Sequence, residues 1–223
     1  MTPMQYHLTL DIIAYIVSAW FSLKFFPAPQ KQPFSYYAIV IVGFIGGAIS
    51  FGSLNSYLSL GEFVLSKSII GALFGGIVAV EGYKRYHDMH GSTGAYFVPS
   101  LAVGIMIGRI GCFMGGLDDF TYGVATDSIW GYDFGDGVLR HPVQLYESVG
   151  MGIFLVVAIM IYRKNRIFFT QKIFYLFILY YALVRFVLEF FKPYADIVGG
   201  INVFQVLALI MIGYSVYFLR SVR

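Results

Sequence analysis

Arg109, His141, Glu147, Arg185 and Glu189 are the residues of this chain best equipped to hold an anion, move a proton or stabilise a developing charge. They lie in three short polar stretches of an otherwise apolar sequence: Gly108-Arg109-Ile110-Gly111-Cys112-Phe113, His141-Pro142-Val143-Gln144-Leu145-Tyr146-Glu147, and Val184-Arg185-Phe186-Val187-Leu188-Glu189-Phe190-Phe191-Lys192. A guanidinium offers a planar, always-charged fork that fits two oxygens of a phosphate or carboxylate. Histidine titrates near neutrality and can take or give a proton. Arg185 and Glu189, four apart, share a helix face, as do Gln144 and Glu147 at a spacing of three.

The elements that must carry these residues are membrane helices. Of 223 residues, 58% are hydrophobic and only 12% are charged, and the mean hydropathy is +0.74. A soluble domain of this size needs a more charged surface. Seven apolar runs approach or exceed the roughly 20 residues that cross a ~30 Å hydrocarbon core: about 8–26, 37–59, 63–82, 95–115, 143–162, 173–191 and 201–219. The first is read as a membrane helix and not as a cleaved signal, because no basic segment precedes it and no small-residue cleavage pattern follows. The expectation is an all-α membrane protein of about seven transmembrane helices, a single domain over residues 1–223.

Charge sets the orientation. The connections at 24–36, 83–94 and 163–172, with the C-terminus, hold Lys24, Lys31, Lys84, Arg85, Arg163, Lys164, Arg166, Lys172, Arg220 and Arg223; the N-terminus and the other connections hold Arg140 and Lys192. Ten against two predicts the N-terminus outside and the C-terminus in the cytoplasm. No basic run suggests nucleic acid. A single cysteine, Cys112, excludes an intramolecular disulfide and a multi-cysteine metal site.

This topology brings the costly groups to one leaflet. Arg109 falls near the outer end of the fourth run, and His141, Gln144, Tyr146 and Glu147 open the fifth. Arg185 and Glu189 lie in the outer half of the sixth, Asn202 and Gln205 open the seventh, and Lys67 sits in the first turns of the third. An ionisable side chain at mid-bilayer costs about 2.5 to 3.5 kcal/mol, so each needs a partner, a cavity or a task. Lys67 is expected on the same face as Gly71 and Gly75, pointing into the cavity of Arg109; the other reading is a lysine that snorkels to the surface. Glu81 is the exception, near the cytoplasmic end, where a solvated helix terminus or a pair with Lys84 or Arg85 accounts for it.

Glycines mark close helix approach: Gly43, Gly46 and Gly47 on the second run, Gly71, Gly75 and Gly76 on the third, Gly104, Gly108 and Gly111 on the fourth. Tight packing and a groove for a lipid both use such surfaces. Residues 116–141 form the longest extramembrane stretch, an outer loop with five aspartates and five aromatics suited to an interfacial lid. Their spacing matches no EF-hand, and no metal or cofactor is expected. His7, His87 and His90 read as surface residues. Cys112 reads as a small apolar side chain, or as a nucleophile if Arg109 is close enough to lower its thiol pKa.

Over roughly residues 40–219 the chain resembles the prolipoprotein diacylglyceryl transferase family. The resemblance rests on Gly108-Arg109-x-Gly111-x-Phe113 with Gly123 beyond it, on His141-Pro142-x-Gln144-Leu145-Tyr146-Glu147, and on Arg185-Phe186-x-x-Glu189-Phe190-Phe191. The Gly-rich third run and Asn202-x-x-Gln205 are also similar. It implies transfer of the diacylglyceryl group of phosphatidylglycerol to the thiol of a lipobox cysteine on a secreted preprotein, at the outer face of the bacterial inner membrane. Glycerol phosphate leaves and a thioether forms.

Under that resemblance Arg109 and Arg185 meet the phosphate, and His141 and Glu147 are the available bases for the thiol. Glu189 orients Arg185, Gln144 and Tyr146 hold the glycerol moiety, and Asn202 and Gln205 complete the substrate contacts. Lys67, one turn before Ile70, departs from the family and is expected to add a further cation at the substrate or, with a depressed pKa, a base. An alternative for the arginines is a set of buried pairs with Glu147 and Glu189 that merely ties helices together. The chain also departs from the family pattern. Ile70 stands where most members have a histidine before two glycines, and Cys112 stands where an asparagine is usual. Gly115-Gly116-Leu117 replaces the Asn-x-Glu that follows it. The phospholipid half of the reaction is thus better supported than the acceptor half. Two other readings stay open: a divergent paralogue with another acceptor, and a non-catalytic protein that binds anionic phospholipid.

Overall fold

The computed structural model describes residues 2–28 and 32–221; Lys31 and Arg223 of the charge comparison lie outside the described residues. Seven α-helices form a bundle: α1 (Pro3–Phe25), α2 (Phe34–Leu60), α3 (Ile69–Tyr86), α4 (Val98–Gly115), α5 (Val143–Lys164), α6 (Arg166–Glu189) and α7 (Val203–Ser221). Six segments, every helix except α3, are long and apolar enough to cross a membrane. α3 carries three charged residues, Glu81, Lys84 and Arg85, within its 18. Large apolar side chains face outward along the bundle, among them Leu23, Val42, Val149, Ile153 and Val187. That is the surface expected against hydrocarbon and the reverse of a soluble bundle.

Local capping moves several boundaries from the sequence expectation. α1 begins at Pro3, because Thr2 and Gln5 cap it reciprocally. α6 begins at Arg166, since the Asn165 side chain accepts from Phe168 N; the expected connection at 163–172 is therefore one residue between two helices. α3 begins after Ser68, whose hydroxyl accepts from Gly71 N. Residues 63–68 are not helical, so Lys67 precedes the helix and does not share its glycine face. It also joins the connection between α2 and α3, at the end of the bundle that holds Arg140 and Lys192, making the charge comparison ten against three.

Glycines set the two closest crossings. A Cβ on Gly47 would lie 2.2 Å from the Gly71 carbonyl oxygen, and one on Gly75 would lie 2.2 Å from that of Gly43; the α2 and α3 backbones touch there. α1 packs along α4, where a Cβ on Gly111 would meet the His7 ring and Leu10 at 3.2 Å. The loop of residues 116–142 holds a short antiparallel hairpin, Tyr132–Asp133 with Leu139–Arg140. Phe113, Tyr132 and Phe134 cluster beneath it. Glu81 sits near the far end of the bundle, bonded to Lys84 and to the Tyr214 hydroxyl.

Candidate active site

Three helices deliver charge to one buried point, and a fourth braces it. The site uses the C-terminal ends of α4 and α6 and the N-terminal ends of α5 and α7, so alternating helix direction gathers residues far apart in sequence. Glu147 is at the centre. Its Oε2 lies 2.7 Å from Arg109 Nε, and its Oε1 accepts from Arg185 and, at 2.9 Å, from Lys192 Nζ. Arg185 also pairs with Glu189, which lies 3.6 Å from Lys192. All five side chains are almost fully buried.

This cluster carries three cations and two carboxylates. It therefore holds a net positive charge where solvent screening is weak. Its hydrogen bonding is also incomplete. The Arg109 Nε–H is close to Glu147 but not aimed at it, and Arg185 Nε has no aligned acceptor. The buried Tyr181 hydroxyl and Gln144 Oε1 have no partner among the described residues. A network built only to join helices would satisfy these groups.

Supporting residues hold the cluster in place. Asn202 and Gln205 cap α7 reciprocally: Gln205 N donates to Asn202 Oδ1 at 3.0 Å, and Asn202 N to Gln205 Oε1 at 2.9 Å. Asn202 Nδ2 then donates to Glu189 Oε2 at 3.2 Å. Both residues position Glu189 from the start of α7. Gln144 donates to the Thr121 hydroxyl at 3.3 Å, and Thr121 donates to Asp119.

Other expected residues stand apart from the cluster. The Nδ1 of His141 faces the Tyr146 hydroxyl at 3.4 Å, and its ring packs on Phe191. Its backbone pairs with Gly123 and Val124, where a Cβ on residue 123 would lie 2.4 Å from the His141 carbonyl oxygen. Lys67 is exposed and lies near enough to Asp11 to act on its carboxyl.

Three residues here escaped the sequence reading. Lys192 was counted as a loop cation, although its spacing of three from Glu189 could have signalled a pair. Tyr181, one turn before Arg185 on α6, carries a helical-face signal only. His7 is not a surface residue. Its Nε2 lies 3.7 Å from Cys112 Sγ and 3.8 Å from Asp11, and its Nδ1 lies 3.6 Å from Asp119. Arg109 Nη1 reaches the same sulfur at 3.8 Å. Donor atoms of His7, Cys112 and Asp119 lie within 4.8 Å of one another, the one group among the described residues with spacing suited to a metal ion.

Fold and site together define a multi-pass helical membrane protein with a buried, cation-rich polar centre at one end. The chain belongs to the prolipoprotein diacylglyceryl transferase family, whose model matches residues 6–220. A relative from Wolinella succinogenes, named phosphatidylglycerol–prolipoprotein diacylglyceryl transferase, is 33% identical over 209 residues, covering 83% of this chain and 75% of the relative. One of the same name from Ehrlichia ruminantium is 31% identical over 241 residues, covering 95% and 90%. Against the Campylobacter lari relative, again of that name, identity is 32% over 173 residues, and the match spans 62% of the relative's length. No solved structure matches the chain significantly.

Proposed function

We propose that this protein transfers the diacylglyceryl group of phosphatidylglycerol to the cysteine thiol of a prolipoprotein lipobox, releasing glycerol phosphate. The observation that carries this reading is the excess of cation over carboxylate in the buried cluster of Arg109, Arg185, Lys192, Glu147 and Glu189. A phosphate brought there neutralises the surplus charge, and its negative charge grows as the carbon–oxygen bond to the glycerol breaks. Fixed cations in a water-poor site favour that change most. Arg109 and Arg185 are assigned to the phosphate, and Glu147 and Glu189 hold their forks in register. Gln144, Tyr146 and His141 line the start of α5 and are assigned to the glycerol and acceptor contacts. Asn202 and Gln205 act through Glu189.

The same reading sets all seven helices across the bacterial inner membrane as one domain, N-terminus outside and C-terminus in the cytoplasm. The alternating helix directions and the ten-to-three distribution of loop cations support it. Lys67 then belongs to the outer surface near the membrane interface and not to the cluster.

Incubating the protein with phosphatidylglycerol vesicles and a lipobox peptide tests the assignment. Mass spectrometry should show the diacylglyceryl group on the peptide cysteine. An unmodified peptide beside bound, intact phosphatidylglycerol favours the non-catalytic lipid-binding reading.

A further inference from the structure

A thiol must lose its proton to attack carbon, and Ile70, at the position where the family resemblance implies a histidine, is fully buried in the apolar core. It cannot take that proton. His7 can, by geometry. It comes from α1, which settles against Gly111 and Gly115 of α4, and its side chain keeps 19% of its surface open. Asp119 faces Nδ1 on one side of the ring, and Nε2 on the other side faces a sulfur. That sulfur in turn lies 3.8 Å from Arg109 Nη1. The imidazole nitrogen and the guanidinium thus converge on one point, a base on one side and a positive charge on the other, the two groups that an incoming thiol has to meet.

We propose that His7 accepts the proton of the incoming lipobox thiol and that Asp119 positions its ring; the proposal rests on the transferase reading above. As the thiol proton passes to His7 Nε2, sulfur bonds to the terminal glycerol carbon of the diacylglyceryl group. The carbon–oxygen bond to phosphate breaks, and glycerol phosphate leaves with the electron pair. The imidazolium faces Asp119 and Asp11, with the cations Arg109 and Lys67 beyond them and Cys112 alongside. It returns its proton to water through its open edge.

Two other uses of this cluster fit less well. Cys112 as nucleophile would form a thioether on the protein itself, a stable product that passes nothing on. A metal ion would have to share the cluster with the Arg109 guanidinium, 3.8 Å from the sulfur, whose positive charge opposes a second cation.

The test follows peptide modification against pH, on the full-length protein in phosphatidylglycerol vesicles. Transfer by the unsubstituted protein must be present first; its absence refutes the transferase reading and leaves His7 with no reaction to serve. Given transfer, His7→Gln is expected to lower turnover about 100-fold or more at neutral pH while phosphatidylglycerol binding persists. Its remaining rate should climb tenfold per pH unit toward the ordinary thiol pKa of about 8.5, because only preformed thiolate then reacts. Asp119→Asn should lower kcat about tenfold with the peptide KM unchanged, and Asp119→Glu should restore most of it. Cys112→Ala should retain transfer, and a chelator should not alter it. An unchanged rate in His7→Gln, or a loss equal at every pH, overturns the proposal. So does a diacylglyceryl adduct on Cys112, or activity that zinc restores after chelation.

Discussion

Removing the Glu147 carboxylate leaves Arg109, Arg185 and Lys192 facing one another with only Glu189 to answer them. Uncompensated buried charge costs about 3 to 5 kcal/mol when one partner is deleted. Glu147→Gln should therefore lower thermal stability in detergent by that order and abolish transfer, and a melt within a degree of the parent would contradict its central place. Arg109→Lys and Arg185→Lys test a different property. Each keeps the charge and loses the fork, so turnover should fall about 100-fold in a protein that still folds and inserts. Full activity in either would remove phosphate recognition from that position. His141→Gln should cost much less than His7→Gln, because the His141 ring faces Tyr146 and Phe191 and not the cluster.

At the scale of elements, the α2–α3 crossing depends on glycine backbones in direct contact. Gly47→Leu or Gly75→Leu must push the helices apart, and overpacking of this kind costs about 1 to 3 kcal/mol; a thermal melt of the variant reads it. In the hairpin of residues 132–140, Arg140 donates to Asp136 at 2.7 Å and holds the Asp136 carboxyl below its ordinary range. A depressed carboxylate contributes order above its unfolded pKa, about 3.9, and loses it as pH falls through the lower folded value. Proteolysis of the hairpin should thus stay slow down to about pH 4 and quicken below it; equal rates at all pH would contradict the pair's role. Much of this architecture was legible in the sequence: the apolar runs, the shared end of the polar residues, and the pairing of Glu81 with Lys84. The start of α3 was not, because apolar residues 63–65 continue the hydropathy signal past the Ser68 cap, and Lys67 was misplaced with them. His7 was illegible for a similar reason, since nothing in α1 says which helix its polar edge will meet. The partner signal lay in Gly111 and Gly115, a hundred residues away.

In the whole molecule, helices of alternating direction bring the ends of α4, α5, α6 and α7 to a common point, and α1 adds a histidine beside it. Seven crossings with the N-terminus outside predict that a cysteine introduced at Thr2 into a Cys112→Ala background is labelled by an impermeant maleimide in intact cells. One introduced at Ser221 should be labelled only after lysis, and the reverse pattern would invert the topology. Phosphate recognition and thiol attack are proposed to occur in one event at the Arg109–Glu147–Arg185 cluster. Release of labelled glycerol phosphate from phosphatidylglycerol, measured with the loss of free peptide thiol, tests it most directly. One phosphate should be released per thiol consumed, with both falling together in Arg185→Lys. Release without thiol loss, or thiol modification undiminished in that variant, would contradict it.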